Sequence, residues 1–273
     1  MENNYNVENA LVKTESEQSN RYMVPGLIRG LKILQAFSSE KPFLGVSDIA
    51  RELDVSRSTA FRLSLTLENM GFLKRVKHSK KYCLGLKVLD LGFKLLAGMD
   101  IVDIARPHME ELSENTKVCS HLAVRDGISV VYIARILGKH HTVSSVGVGT
   151  RFPAYATSTG RILLANLSIA ELATLYEGIE LKKITKNTPL TIGDLINQIE
   201  QDKSDGYTLS WETYEKNLAS LAVPIRDNTR EIIAALNVSC PTTTYSRSEL
   251  LEQVLPELMQ KAASISTALG YRH

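Results

Sequence analysis

Ser56, Arg57, Ser58, Thr59 and Arg62 fall within barely two turns of the stretch "DVSRSTAFRLSLTLENMGFL", Asp54 to Leu73. All are hydrogen-bond donors, and serine and threonine are mediocre helix formers. Behind them Ala60, Leu63, Leu67 and Met70 recur at helical spacing, which assigns them to a buried face. Ser58, Arg62, Leu65 and Asn69 then fall on the opposite, solvent side. Short donors and arginines at the front of a helix suit contact with a duplex. Arginine reads guanine edges, hydroxyls meet bases or phosphates, and the helix N-terminus favours an anion. Leu65 would meet a thymine methyl or pack on a neighbouring hairpin.

A second hydroxyl group is Thr157, Ser158 and Thr159, ahead of Gly160 in "ATSTGRILLA". These residues would either cap a helix or hold a carboxylate at its start. Hydrolytic chemistry finds no support, for the chain has no G-x-S-x-G, Walker loop or H-E-x-x-H. Asp103, Glu110 and Glu111 read as solvent-facing charge. His140 and His141 are adjacent, and His108 and His121 are isolated, so no metal site is expected. Cys83, Cys119 and Cys240 lack a C-x-x-C pair, which argues for reduced thiols in a cytoplasmic protein. No cofactor is expected.

The elements that carry these residues follow from periodicity. "GLIRGLKILQAFSS" is a first helix with Leu27, Leu31, Leu34 and Phe37 as its stripe. "KPFLGV" connects it to a short helix, "SDIARELD", with Ser47 as N-cap. The helix carrying Arg62 follows after a three-residue turn and ends near Gly71, which makes a helix-turn-helix. "FLKRVKHSKKYCLG" reads as a β-hairpin, or wing, and Lys74, Arg75, Lys77, Lys80 and Lys81 on it would grip phosphates. "LKVLDLGFKLLAG" from Leu86 to Gly98 is a linker helix with Leu86, Leu89, Phe93 and Leu96 on one stripe. Met99 to Thr116 is helical, with a kink or break expected at Pro107.

Beyond, "VCSHLAVRD", "SVVYIARI" and "HTVSSVGV" read as strands, "TGRILLANL", "SIAELATLY" and "TIGDLINQIEQDKSDG" as helices. "LASLAVPIRD" and "EIIAALNVSC" are strands, and a closing helix from Ser246 tolerates Pro256. The fold class is α+β, with a mostly antiparallel sheet in the second block.

Charge divides the same way. Net charge over the 273 residues is +2, yet Arg21 to Gly98 holds 14 Lys/Arg against 6 Asp/Glu. From Met99 onward 17 basic residues face 20 acidic ones. A basic N-terminal block meets a polyanion, and the second block does not. No apolar run reaches the ~18 residues that cross a membrane. Residues 1–20 are polar and acidic, without the pattern of a signal peptide, and read as a disordered tail.

The segments "GLIRGLKILQAFSS", "LGVSDIARELDVSRSTAFRLSLTLENMGFLKR" and "KYCLGLKVLDLG" resemble the IclR family of bacterial transcriptional regulators. "DIARPHMEELSENT", "DGISVVYIAR", "VGVGTRFPAYATSTGRILLA" and "SLAVPIRD" extend the likeness from Gly26 to the C-terminus. The stretch through "FPAYATSTGR" is most similar to the branch governing aromatic-acid breakdown by the β-ketoadipate route. The resemblance implies a winged helix-turn-helix over 21–85, a linker helix over 86–98 and a GAF-like effector-binding domain over 99–273. It implies a homodimer or homotetramer on a pseudo-palindromic DNA operator, a small carboxylate effector, and RNA polymerase as a further candidate partner. It also implies a pocket lined by Thr159, Gly160, Ser220, Asn237 and Ser239. The chain departs from the family's D-x-E-x-x-x-G-L-R-S, with Trp211, Thr213, Asn217 and Ala219 at the Asp, Glu, Gly and Arg positions. Trp211 and Tyr214 would stack on an aromatic acid at the pocket rim, or pack as core. A DNA-anchored enzyme and an effector-independent DNA-binding scaffold are the alternatives to a ligand-responsive regulator.

Overall fold

The computed structural model describes residues 22–139 and 146–272. It divides into two compact units, one up to Leu95 and one from Leu96 onward.

The first unit begins with α1, Pro25–Gln35, whose proline sits at the helix start, where an N–H is not needed. α1 buries Ile33, while Leu27 and Leu31 of the expected stripe stay exposed. β1, Leu44–Gly45, is a strand where the sequence suggested only a connection. α2, Val46–Glu52, is capped at Gly45, whose N–H donates to Asp48 Oδ2 at 3.0 Å. The expected cap, Ser47, lies inside the helix, because the aspartate three residues on serves Gly45. α3, Arg57–Asn69, carries the donor-rich stretch. The wing is β2, Leu73–Arg75, with β3, Lys81–Leu84, and the antiparallel sheet runs β1-β3-β2. Ile33, Ile49, Ala60, Leu73 and Tyr82 form the core of this unit. On α3 the buried positions are Ala60 and Ser64, with Leu63 and Leu67 partly covered. Met70 is exposed instead of buried, because it is the C-cap, where the chain leaves the core. α4, Lys87–Ala97, has no buried side chain.

The second unit is a six-stranded antiparallel sheet between helices. α5, Asp100–Thr116, runs through Pro107 without the expected break. Pro107 and Asp103, whose carbonyl loses its partner there, both lie on the exposed side, which leaves that carbonyl open to solvent. β4, Cys119–Asp126, and β5, Ser129–Ile136, follow. Of "HTVSSVGV", residues 141–145 lie outside the described residues, and Val146 to Val148 are not strand. Next come β6, Arg151–Pro153, then α6, Ser158–Leu164, α7, Ile169–Leu175, and α8, Ile192–Asp205. β7, Thr208–Trp211, β8, Leu218–Arg226, and β9, Ile232–Pro241, complete the sheet in the order β6-β5-β4-β9-β8-β7. α9, Leu255–Ala268, closes the chain. A π-helical stretch, Leu250–Val254, precedes Pro256 and widens the turn where the ring would clash. α5 and α9 pack on one face, against Leu122, Leu221 and Leu236. α6, α7 and α8 pack on the other, against Ala123, Tyr132, Ala222 and Ala235.

Candidate DNA-binding surface and effector cavity

On α3 the solvent face presents Arg57, Ser58, Phe61, Arg62, Leu65, Thr66 and Asn69. Among the described residues neither Arg57 nor Arg62 has a hydrogen-bond or ion-pair partner. Ser56 and Thr59 are engaged locally. Ser56 Oγ accepts from the Thr59 N–H at 3.1 Å and lies 2.9 Å from Thr59 Oγ1. These two hydroxyls therefore hold the helix start that aims Arg57, Ser58 and Arg62 outward. Leu65 lies outside the core of this unit, and Phe61 stands beside it, exposed, at a position the sequence pattern did not single out. Arg29 of α1 shares a groove of about 270 Å³ with Thr59 and Arg62. It adds a cation that only the packing of α1 on α3 reveals.

On the wing Lys74, Lys77, Lys80 and Lys81 are exposed. Arg75 differs from them. Its guanidinium donates to Glu68 Oε2 at 3.2 Å and to Tyr82 Oη at 2.9 Å. The hydrogen bond to Glu68 holds its pKa above the ordinary value. Arg75 thus ties the wing to α3, where the sequence alone suggested a free phosphate grip.

The second unit contains a cavity of about 50 Å³ on the α6 side of its sheet. Strand register builds its floor. Ser210, Ser220 and Ser239 are successive partners across β7, β8 and β9, and all three line the cavity. In the neighbouring row His121 pairs with Asn237, and both line the cavity. Directly paired residues share a face, so alternation places these five side chains together. Ser158, at the start of α6, reaches across to Ser220, Oγ to Oγ 2.6 Å. Asn237 Nδ2 donates to the same Ser220 Oγ at 3.1 Å.

One wall is aromatic. His121 contacts Tyr132 edge-on at 5.5 Å between centroids, Tyr132 contacts Phe152 at 5.6 Å, and Phe152 contacts Tyr214 at 4.7 Å. Burial, seconded by Arg135, pushes the His121 pKa down to about 3, so its ring is neutral. Burial also pushes the Tyr132 phenol up to about 12.

The expected pocket residues separate on this geometry. Tyr214, Ser220, Asn237 and Ser239 line the cavity. Thr159 and Gly160 are buried beside it and do not line it; Thr157 and Ser158 do. Thr159 Oγ1 lies 3.2 Å from Tyr132 Oη. Gly160 is required by packing, because a Cβ there would stand 2.0 Å from the Ala154 carbonyl oxygen. Thr157 is the N-cap of α6, its Oγ1 accepting from the Gly160 N–H at 3.1 Å. Trp211 is placed on the opposite face, against the α5–α9 core, with the Arg247 guanidinium 5.2 Å from its ring. It is one residue along from Ser210, and alternation turns it away. His121, Tyr132, Phe152 and Ser210 escaped the sequence reading, since only register brings them together. His140 and His141 lie outside the described residues. Among the described residues no group of His, Cys, Asp or Glu could hold a metal, and no helix is long and apolar enough to cross a membrane.

Two family descriptions match the chain. "IclR helix-turn-helix domain" covers residues 26–77, and "Bacterial transcriptional regulator IclR C-terminal" covers residues 93–267. The chain is 32% identical to the HTH-type transcriptional regulator KdgR of Escherichia coli over 91% of its own length and 94% of that protein's. It is 33% identical to the Pca regulon regulatory protein of Pseudomonas putida, over 85% and 80% respectively. A crystal structure of a transcriptional regulator from Rhodococcus sp. RHA1, RHA06195, superposes with a TM-score of 0.80 at 34% identity, covering 91% of this chain and 99% of that one.

Proposed function

Because the chain belongs to the IclR family of bacterial transcriptional regulators, we propose that it reads a pseudo-palindromic operator as a homodimer or homotetramer. It is a DNA-binding regulator with an effector-binding C-terminal domain, and it is not an enzyme. In the reading we infer, Arg57, Ser58 and Arg62 meet base edges and phosphates in the major groove. Lys74 and Lys77 grip the flanking backbone, and Ser56 and Thr59 hold the helix start.

A second copy covers the apolar surface of the first unit. Leu27 and Leu31 on α1, and Leu86, Leu89 and Phe93 on or beside α4, are all more than half exposed. Apolar side chains gathered on helices in this way mark an association surface. The effector is a small carboxylic acid held in the cavity floored by Ser220, Asn237 and Ser239. It shifts the spacing of the two DNA-binding units through α4, by binding one arrangement more tightly than the other. The regulator works on DNA in the cytoplasm.

The observation that carries this reading is the uncommitted donor face of α3. Footprinting on the DNA upstream of the chain's own gene tests it. Two protected half-sites about one helical turn apart, or a multiple of it, are expected. Equal affinity for an unrelated duplex of the same length would sink it.

A further inference from the structure

Among the described residues of the second unit six buried side-chain polar atoms have no hydrogen-bond partner, and four of them lie on three neighbouring strands: Arg135 Nε, His121 Nδ1 and Nε2, and Asn237 Oδ1. Their placement is not scattered. His121 on β4 is the register partner of Arg135 on β5 and of Asn237 on β9. The three side chains therefore form one lateral row on the cavity face of the sheet. Buried polar atoms left unpaired cost free energy, so a row of them calls for a ligand that completes it.

The types in the row state what that ligand is. Arg135 supplies a fixed positive charge, and arginine matches a carboxylate in shape as well as charge. A neutral His121 offers one N–H and one acceptor nitrogen. Asn237 has its Nδ2 committed to Ser220 and leaves a carbonyl oxygen that needs a donor. Among the described lining residues of the cavity none is Lys or Arg, and the only acidic side chain is Glu215 at its exposed edge. Tyr132 and Tyr214 are the other titratable groups there.

We propose that the row Arg135–His121–Asn237 is the polar anchor of the effector cavity and selects a hydroxy acid, carboxylate toward Arg135 and His121, hydroxyl toward Asn237. This rests on the reading of the cavity as the effector site. The cavity, about 50 Å³, is a third of the roughly 150 Å³ that admits benzene. An aliphatic hydroxy acid of a few heavy atoms fits it as it stands, and an aromatic one requires it to open.

Isothermal titration of the full chain with two probe sets tests the assignment. One set is lactate, propionate and lactamide; the other is 4-hydroxybenzoate, benzoate and 4-hydroxybenzamide. The wild type is expected to bind a hydroxy acid at least about tenfold more tightly than its amide. Arg135→Gln is expected to abolish that preference, and His121→Gln to weaken the acid about tenfold. Asn237→Ala is expected to bring the hydroxy acid down to its deoxy counterpart while leaving the latter unchanged. A general loss of packing would not sort acid from amide, or hydroxyl from hydrogen, in this way. If Arg135→Gln does not fold, Arg135→Lys is the substitute and keeps the preference for the acid. Acid and amide bound equally by the wild type, or acid binding untouched by all three substitutions, overturns the anchor. If no compound of either set binds, the acid-effector reading falls and the anchor with it.

Discussion

Arg161 Nε donates to Asp202 Oδ2 at 2.8 Å, and both side chains are more than nine-tenths buried. The same guanidinium donates to Gln198 Oε1 at 2.8 Å and to the Leu209 carbonyl at 3.2 Å. One side chain on α6 thus fixes the helix that delivers Thr157 and Ser158 to both α8 and β7. Burial pushes the Asp202 pKa up while Arg161 pulls it down, and the net shift is upward. Desolvation is thus the larger effect, and the pair contributes position more than net stability.

Arg161→Met leaves Asp202 buried without its cation. It is expected to destabilise the second unit by about 3–5 kcal/mol. The double variant Arg161→Met with Asp202→Leu is expected to recover most of that, since two apolar groups need no pairing. Urea denaturation followed by circular dichroism measures both. A double variant as unstable as the single one would contradict the account.

Trp211 packs on the α5–α9 face and faces away from the serine row. Trp211→Ala is expected to cost about 1–3 kcal/mol of stability, less than a fully buried aromatic because the ring keeps some exposure. The affinity of any acid for the cavity is expected to stay within about twofold. A tenfold loss of acid affinity at unchanged melting temperature would return Trp211 to the pocket.

Much of this was legible in the chain, and the line between legible and hidden is physical. α3 was readable because its core spacing and its donors lie within one helix, where 3.6 residues per turn fixes the geometry. The closing turn of α8 was readable because Gly206 takes a φ of 77° that other residues resist. Ser220, Asn237 and Ser239 came from family likeness, yet their grouping with Ser210 and His121 depends on which strands pair. That pairing joins residues over a hundred positions apart, such as His121 and Asn237, and no local pattern encodes it. Trp211 shows the same limit from the other side. Its type suited a pocket rim and the core equally, and one step of strand alternation places it on the core side. β1 and β6 were missed because two or three residues carry no period.

His121 makes stability depend on pH. In the unfolded chain it titrates near 6.5, and burial lowers it to about 3 in the fold. A depressed histidine is neutral in the fold while the unfolded chain takes up a proton. Stability is therefore complete above pH 6.5 and is lost as pH falls toward 3. The slope is about 1.4 kcal/mol per pH unit for one proton. Between pH 6.5 and 5 the exposed carboxylates Glu111 and Asp227, whose pKa values are held low, do not yet titrate. His121→Gln is expected to flatten that interval in urea denaturation of the effector-free protein. An unchanged slope would show that another group takes up the proton.

Variants at Arg62 and Lys77 test the two kinds of DNA contact proposed for this chain. Arg62 lies on the solvent face of α3 with no partner among the described residues, and Lys77 lies at the tip of the wing. Arg62→Ala is expected to weaken operator binding by about 1–3 kcal/mol and to relax preference at one base pair. Lys77→Ala is expected to weaken operator and unrelated DNA alike and to reduce the salt slope by about one ion. Fluorescence anisotropy across a salt series, with operator and scrambled duplexes, reads both. Arg75→Ala provides the contrast, because its guanidinium joins Glu68 and Tyr82. Its effect is expected first in the melting of the DNA-binding unit. An Arg62→Ala protein that binds both duplexes as the wild type does would remove α3 from the contact.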